Sequence, residues 1–377
     1  MLRIVAWDDP RCVQPLQAAC ERWRQKTGQD CTIIRRPLTA FNDQPLSELA
    51  PLCDVMIIDY PHVAQAREEG AITAICDLLP AESIKTVRDN AIGAAQESFV
   101  VDGRDLALAS DAACQVAAYR PDRLAARGEH VPQNWEAVIA LADRRPGSVA
   151  VPLYHTDAIS CVLSLTAGAG AAPDGGTKLF PDAVAAREAL ETLIRLAGHV
   201  DRLCWDCTPQ RLYAEAHRID AIAYIPLTFG YTRLTRNDEG GWRFAAPPAG
   251  CGSLLGGAGM AVSAAADDRA TAAAFAAWYC IPDSQLQAAF DGGQPAGRAA
   301  WIDADTDRIN GCFFSDTRAT QERAYVRPRA PWWPDVQKAA GEHLVAAMRA
   351  GAPASAIVAD LEDIHGRIRA GYDRRVA

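Results

Sequence analysis

The chain has 377 residues, which suits two lobes better than one ordinary hydrophobic core. Its content of 49% hydrophobic and 23% charged residues is normal for a globular protein, and its net charge of −9 predicts no general affinity for nucleic-acid phosphates. No stretch approaches the ~18 consecutive apolar residues of a membrane-spanning helix, so we expect no membrane span.

The N-terminus shows no basic segment followed by an apolar stretch of ~7–15 residues, so no export leader is visible. Two locations therefore stay open. The protein is periplasmic or otherwise extracytoplasmic if a leader was removed, and cytoplasmic if Met1 is the native start. The twelve cysteines are scattered along the chain, which favours a reducing compartment, where a buried Cys acts as a small apolar residue.

Strands and helices alternate over the first hundred residues. Apolar runs predict strands over residues 2–7, 31–35 and 54–58, and helical spacing closed by glycine predicts helices over 12–26 and 63–69. This alternation is typical of a parallel sheet, whose ligand sites lie beyond the carboxyl ends of the strands. The residues of interest at those ends are Trp7, Asp8, Asp9, Phe41, Asn42, Asp59 and Tyr60.

Asp9 has a second interpretation, as the N-cap of the first helix with Pro10 in its first turn.

The pattern changes after residue 98. Asp102-Gly103 lies between two apolar runs and predicts a two-residue hairpin, and the second run continues to Tyr119, which predicts a strand that crosses between lobes. Beyond it, further strands are predicted over residues 148–152, 219–225, 243–246 and 256–262. Helices are predicted over residues 135–142, 156–167, 181–197, 268–279, 283–291, 334–349 and 353–370.

Most catalytic signatures are absent from the sequence. There is no phosphate-binding loop, HExxH pair or GxSxG elbow, and Pro173 interrupts the dinucleotide pattern that begins at Gly168. The one CxxC, at Cys204 and Cys207, lacks a second ligand pair for zinc; we interpret it as structural, with redox and metal roles as alternatives. We expect no catalytic residue, no metal and no cofactor.

Cys114 is a candidate for a different chemistry. It follows Asp111 by three residues on the predicted crossing strand, and a thiol there could act as a nucleophile with His155 or a carboxylate as base. The simpler interpretation is a core position on a strand.

Aromatic residues cluster at the ends of the predicted elements. These are Trp7, Phe41, Tyr60, Tyr154, Trp205, Phe229, Tyr231, Trp332 and Trp333. The polar residues beside them are Asp8, Asp9, Asn42, Asp59, Asp111, His155 and Asp157. Each ring alone is more simply explained by packing, but the set indicates a site for a polar, hydroxyl-bearing or cationic small molecule.

Several segments carry a family likeness through their order along the chain. They are residues 20–28, with Trp23 in place of the usual Phe of an F-x-x-x-T-G helix end, 53–59, 65–70 with Leu78-Leu79, 102–120, 132–138, 255–262 and 327–336. This succession resembles the extracellular solute-binding proteins of ABC transporters, family 1, the maltose-binding-protein-like group with the periplasmic binding protein type II fold.

The resemblance implies an α/β fold of two lobes, each a mostly parallel sheet flanked by helices, with a ligand cleft between them. Lobe I would comprise residues 1–110 and 263–312, and lobe II residues 113–260 and 320–377 with the C-terminal helices. Hinge crossings would lie near residues 110–113, 260–263 and 312–320. The cleft residues that carry over are Trp7, Asp8, Asp9, Phe41, Asn42, Asp59, Tyr60, Asp111, Tyr154, His155, Phe229, Tyr231, Gly256, Gly257, Trp332 and Trp333.

The resemblance also implies a function without catalysis: capture of a small polar ligand, sugar-like by family default, for an ABC importer. The implied partners are that ligand and, if the protein is exported, ABC permease subunits; a monomer without nucleic acid is expected. Asp111 stands where an ordinary family member has an apolar or aromatic residue, which points to a ligand other than a plain sugar. The alternatives are a thiaminase-like enzyme on the same fold with Cys114 as nucleophile, and a cytoplasmic ligand sensor that signals through another protein.

Overall fold

The structure, a computed structural model, describes residues 1–236, 238–250 and 252–376, without the side chains of Asn42, Asp43 and Val376. Its strands are β1 Leu2–Trp7, β2 Cys31–Arg36, β3 Val55–Asp59, β4 Ile72–Thr73, β5 Val100–Val101, β6 Arg104–Asp105, β7 Leu108–Tyr119, β8 Tyr224–Phe229, β9 Arg243–Ala245 and β10 Leu255–Ser263. Its helices are α1 Pro10–Thr27, α2 Leu38–Asp43, α3 Leu46–Leu49, α4 Val63–Glu68, α5 Ala81–Asn90, α6 Pro121–Ala126, α7 Trp135–Arg144, α8 His155–Gly168, α9 Ala183–Ala197, α10 Pro209–Arg218, α11 Arg269–Cys280, α12 Pro282–Phe290, α13 Arg298–Ile302, α14 Ala304–Ile309, α15 Phe313–Glu322, α16 Trp333–Arg349 and α17 Ala354–Val376.

Eight strands form one mixed sheet whose central order is β2-β1-β3-β10-β7-β8. The first three strands are parallel, as the alternation of strand and helix predicts, and β10 then pairs with β3 and β7 in the antiparallel sense. The short strands β4 and β9 add to β10 and β7. The carboxyl ends of β1 and β3 therefore lie side by side at one edge of the sheet.

Strand β7 links the two parts of this sheet. Its first half pairs with β10, and its second half, from Gln115 to Tyr119, pairs with β8 and β9. The prediction of a long strand that runs to Tyr119 is confirmed. The predicted hairpin before it is confirmed too: Asp102 and Gly103 join β5 to β6 with φ of 51° and 72°, the positive values that a tight hairpin turn of this kind requires.

Helix α1 shows how local sequence fixes the element that follows β1. The Asp9 carboxylate caps the helix by accepting the Arg11 N–H at 2.9 Å, and Pro10 occupies the first position, where a missing N–H costs nothing. Gly28 ends the helix in the left-handed conformation. The apolar face, with Leu16 and Trp23, is buried. The N-cap interpretation of Asp9 is confirmed.

Two hydrophobic clusters fill the fold. One packs α1 and α11 against the β1–β3 region, with Ile4, Leu16 and Phe275 fully buried. The larger one covers the other face of the sheet and extends through α8, α9, α16 and α17. None of the described helices has the length and apolarity to cross a bilayer.

The strand prediction over residues 148–152 is wrong. The segment makes a single parallel bridge from Val149 to Tyr224. A ladder stops there because Pro152 has no N–H to donate, and the next N–H, of Leu153, donates to the Cys204 carbonyl at 2.8 Å. The strand predicted over 219–225 begins only at Tyr224, because residues 219–222 form the turn that leaves the unpredicted helix α10, where the Ile222 N–H donates to the Ile219 carbonyl at 3.3 Å.

We predict that Gly257→Ala destabilises the fold by about 1–3 kcal/mol. Gly257 has a φ of 123°, and an added Cβ would lie 2.4 Å from the Asp111 carbonyl oxygen, so β10 and β7 would have to separate. The matched control is Gly366→Ala within α17, where an added Cβ meets nothing within 4 Å and helix propensity favours Ala. Urea denaturation measures both; equal effects of the two substitutions would contradict the prediction.

Candidate ligand-binding site

A cavity of about 90 Å³ lies beyond the carboxyl ends of β1 and β3 and faces the start of α8 and the end of β8. A water needs only about 10–15 Å³ on the same measure, so the space holds a small molecule. Eight of its lining residues are among the predicted cleft residues: Trp7, Phe41, Asp59, Asp111, Phe229, Tyr231, Gly256 and Gly257. The others are Arg11, Leu38, Ala113, Thr156, Asp157, Ser160, Pro209, Ala258 and Arg327.

Arg11 and Asp111 form a buried ion pair at the floor of the cavity. The Arg11 Nε donates to one carboxylate oxygen at 2.8 Å, its Nη2 donates to the other, and its Nη1 reaches the Gly230 carbonyl at 3.3 Å. Burial raises the pKa of Asp111, and Arg11 works against that rise. The guanidinium also lies 5.4 Å from the centre of the Tyr231 ring. One cation thus ties α1 to β7 and to the turn that follows β8.

A second buried ion pair also lines the cavity, on the other side of β10 from Asp111. Arg327 donates to both Asp59 carboxylate oxygens at 3.1 Å, to the Tyr60 hydroxyl at 2.9 Å and to the Gln337 side chain at 2.9 Å. Burial works to lower the pKa of Arg327, but Asp59 and Tyr60 outweigh it, and the pKa is raised. Arg327 therefore stays charged, and all three of its side-chain nitrogens donate to protein groups.

Asp157 is the third residue of α8 and differs from the other two lining carboxylates. The residue is 5% exposed, and no described residue donates a hydrogen bond to its side chain or forms an ion pair with it. Burial raises the pKa of Asp157 well above its usual range. Thr156 and Ser160 line the cavity beside it, so this end of α8 presents three polar side chains.

Close packing fixes the position of Asp157. Helix α16 crosses α8 at Gly341, where an added Cβ would lie 2.5 Å from the His155 carbonyl oxygen. Only a residue without a side chain allows the two backbones to approach this closely. The first turn of α8 is therefore held against α16 while it faces the cavity.

Aromatic rings supply the apolar walls of the cavity. Trp7 and Phe41 pack with ring centroids 5.0 Å apart on one side. Phe229 lies over Gly256, whose absent side chain makes room for the ring, and Tyr231 completes the opposite side. Rings beside carboxylates and a serine hydroxyl suit a ligand that carries both C–H faces and hydrogen-bond donors.

Comparison with known proteins identifies the family. The family model described as bacterial extracellular solute-binding protein matches residues 42–305, about 70% of the chain. The chain belongs to this family of solute-binding proteins. A search of curated proteins found no significant match.

Solved structures agree on the fold of this solute-binding protein. An ABC transporter solute-binding protein from Agrobacterium radiobacter K84 in complex with ribitol has a TM-score of 0.82 at 18% identity, covering 97% of this chain and 98% of its own. Maltose-bound MalE3 from T. maritima has a TM-score of 0.81 at 16% identity, covering 96% and 98%. A D-mannitol-bound protein from Agrobacterium vitis S4 has a TM-score of 0.78 at 13% identity, covering 98% of both chains. The predicted two-lobed periplasmic-binding-protein-like fold and the predicted family are confirmed.

Three of the remaining predicted cleft residues from the first hundred residues do not line the cavity, and a fourth cannot be placed by its side chain. Asp8 is exposed, 3.5 Å from Arg35, and Asp9 is the N-cap of α1. Tyr60 is fully buried behind the wall, where its hydroxyl accepts from Arg327. The side chain of Asn42 lies outside the described part of the chain.

The other four do not line it either. Tyr154 precedes α8 and His155 opens it, with their rings 4.2 Å apart, and the helix turns Asp157 rather than His155 into the cavity. Trp332 packs on His365 at 5.1 Å, and Trp333 donates to Gln337 at 3.2 Å. These tryptophans belong to the packing of α16 and α17.

The thiols of the solute-binding protein are poorly placed for catalysis. Cys114 is buried and does not line the cavity, and burial raises its pKa to about 12. Cys204 and Cys207 are fully buried, with pKa values raised to about 12 and about 11 by the same cause. Across the described residues, no group of three or more His, Cys, Asp or Glu could hold a metal ion.

We predict that Arg11→Met destabilises the protein by about 3–5 kcal/mol, because it leaves Asp111 buried without its partner. Asp111 would then have a raised pKa in the folded state, so the stability deficit should be smaller at pH 4, where the acid is protonated, than at pH 7. Urea denaturation at both pH values measures this. The double variant Arg11→Met with Asp111→Leu is the control and should recover most of the loss; an equal loss in both variants would contradict the buried pair.

We predict that iodoacetamide at pH 7 modifies Cys114 at least about 100-fold more slowly than the exposed Cys312, because alkylation requires an accessible thiolate. Peptide mass spectrometry over time gives both rates in one sample. Both cysteines should react once urea unfolds the chain. Rapid stoichiometric labelling of native Cys114 would instead support the enzyme alternative.

Proposed function

We propose that this solute-binding protein captures a small hydroxylated molecule, a sugar or polyol, in the described cavity and presents it to an ABC permease. The observation that carries the proposal is that residues far apart in the chain line the same cavity. Trp7 and Asp59 come from the first hundred residues, and Asp157 and Phe229 come from elements more than fifty residues later. Rings and carboxylates in this combination match the alternating C–H and O–H surfaces of such ligands.

The size of the cavity favours one sugar ring or an open-chain polyol over an oligosaccharide. Solved structures of the same fold are described as bound to ribitol and D-mannitol as well as maltose, which supports this ligand class. The two buried ion pairs fix the positions of Asp59 and Asp111, whose carboxylate oxygens keep further acceptor capacity for ligand hydroxyl groups.

We assign lobe I to residues 1–110 and 263–312 and lobe II to residues 113–260 and 320–377, with hinge crossings near 110–113, 260–263 and 312–320. The pairing of β7 with β10 in its first half and with β8 and β9 in its second half supports a crossing in this strand. Closure of the lobes would bury the ligand between Trp7 and Phe229 and exclude water. Such a protein acts as a monomer outside the cytoplasmic membrane.

We predict that calorimetry with a panel of sugars and polyols, including ribitol, D-mannitol and maltose, finds a ligand with Kd on the order of micromolar. Phe229→Ala should weaken its binding by at least about 10-fold, because the ring lines the cavity and is half-buried. The matched control is Phe290→Ala, an exposed ring on α12 outside the cavity, which should leave the Kd unchanged.

Flat titrations across the panel, together with no small molecule in mass spectra of the denatured, freshly purified protein, would contradict the proposed function. Equal weakening by both phenylalanine variants would place the ligand elsewhere.

A further inference from the structure

The charges around the cavity do not balance. The two guanidiniums that line it are Arg11 and Arg327. Arg11 donates to both carboxylate oxygens of Asp111, and Arg327 donates to both carboxylate oxygens of Asp59. Each guanidinium carries one positive charge and already neutralises one carboxylate, so neither neutralises a third. Asp157 is the third lining carboxylate, and it has no cationic partner among the described residues.

Among the described residues, the cations around Asp157 are engaged elsewhere. Arg211, which acts on the pKa of Cys207 together with Asp157, is exposed and donates to the Asp206 carbonyl at 3.2 Å. Asp9 and Asp157 both act to raise the pKa of Tyr231, and the cation that opposes them is Arg11, which is already paired with Asp111. The remaining buried guanidinium nearby, Arg36, lies over Phe41 and donates to the carbonyls of Ala40 and Ile57, and it does not line the cavity. The described cavity wall therefore supplies no countercharge for the carboxyl group at the start of α8.

Burial of a carboxylate without a countercharge costs free energy. If the lobes closed on a neutral ligand, the complex would still bear this cost. We propose that the ligand carries a protonated amine that pairs with Asp157, so that its class is an amino sugar or aminopolyol rather than a neutral sugar. This inference rests on the proposed function and specifies its ligand. The ammonium brings the missing charge, its N–H groups donate to the carboxylate, and the Phe229 ring lines the same space.

Matched pairs of probes test the charge directly. The pairs are D-glucosamine with D-glucose, D-galactosamine with D-galactose, 1-amino-1-deoxy-D-glucitol with D-glucitol, and 1-amino-1-deoxy-D-ribitol with ribitol. Calorimetry at pH 7 should show, for the best pair, at least about 10-fold tighter binding of the amine by the wild-type protein. This comparison needs no variant, so it stands whatever a substitution does to folding.

The variant Asp157→Asn removes the charge and keeps the shape of the side chain. It should abolish the preference for the amine, measured as the ratio of the Kd values of the neutral and amine members of each pair, whatever it does to the affinity of either member alone. The matched control is Asp8→Asn, which removes one exposed negative charge outside the cavity and should keep the preference intact. It separates local pairing from the general attraction of an acidic protein for cations.

The outcomes distinguish the two proposals. Neutral members that bind as tightly as their amines overturn the inference and leave the proposed function in place, with Asp157 then serving as a hydroxyl-binding acid. A preference for amines that survives Asp157→Asn overturns the assignment to Asp157. Failure of every pair to bind overturns both the inference and the proposed function.

Discussion

The buried contact between Arg11 and Asp111 is the constraint on which the rest of the site depends. Both charges are removed from water, a cost that is offset only because the guanidinium and carboxylate meet through two hydrogen bonds and a third bond reaches Gly230. Asp111 also sets the spacing of the sheet, since its carbonyl approaches β10 so closely that only Gly257 fits opposite. One residue thus anchors α1 through its side chain and β10 through its backbone.

Local sequence signals predict the framework of this protein well. The hairpin at Asp102-Gly103 and the cap at Asp9 depend on neighbours within a few residues, so their chemistry is visible in the sequence. The strand expected over residues 148–152 is absent because pairing also requires a partner edge, and the backbone there turns instead toward Cys204. Apolar content alone cannot distinguish a strand from a buried irregular segment.

The cavity was predictable where it is built from strand ends and not where it depends on distant partners. Trp7, Asp59 and Phe229 lie at or near the ends of strands, which converge at one edge whatever the details of packing. Arg11 and Arg327 escaped prediction because their carboxylates are 100 and 268 residues away in the chain. On α8, the rotation of the helix decides that Asp157 and not His155 faces the cavity, and this rotation is fixed by the contact with α16.

The burial of the cysteines has a consequence for the unfolded chain. Of the eleven cysteines in the described residues, all are unpaired and seven are buried, so the native state shields most of its sulfur from oxidants. Unfolding would expose them together, and in an oxidising compartment the exposed thiols would form disulfides that the native state lacks, which makes unfolding irreversible. Outside a reducing environment, the lifetime of the protein is then set by its rate of unfolding and not by its equilibrium stability.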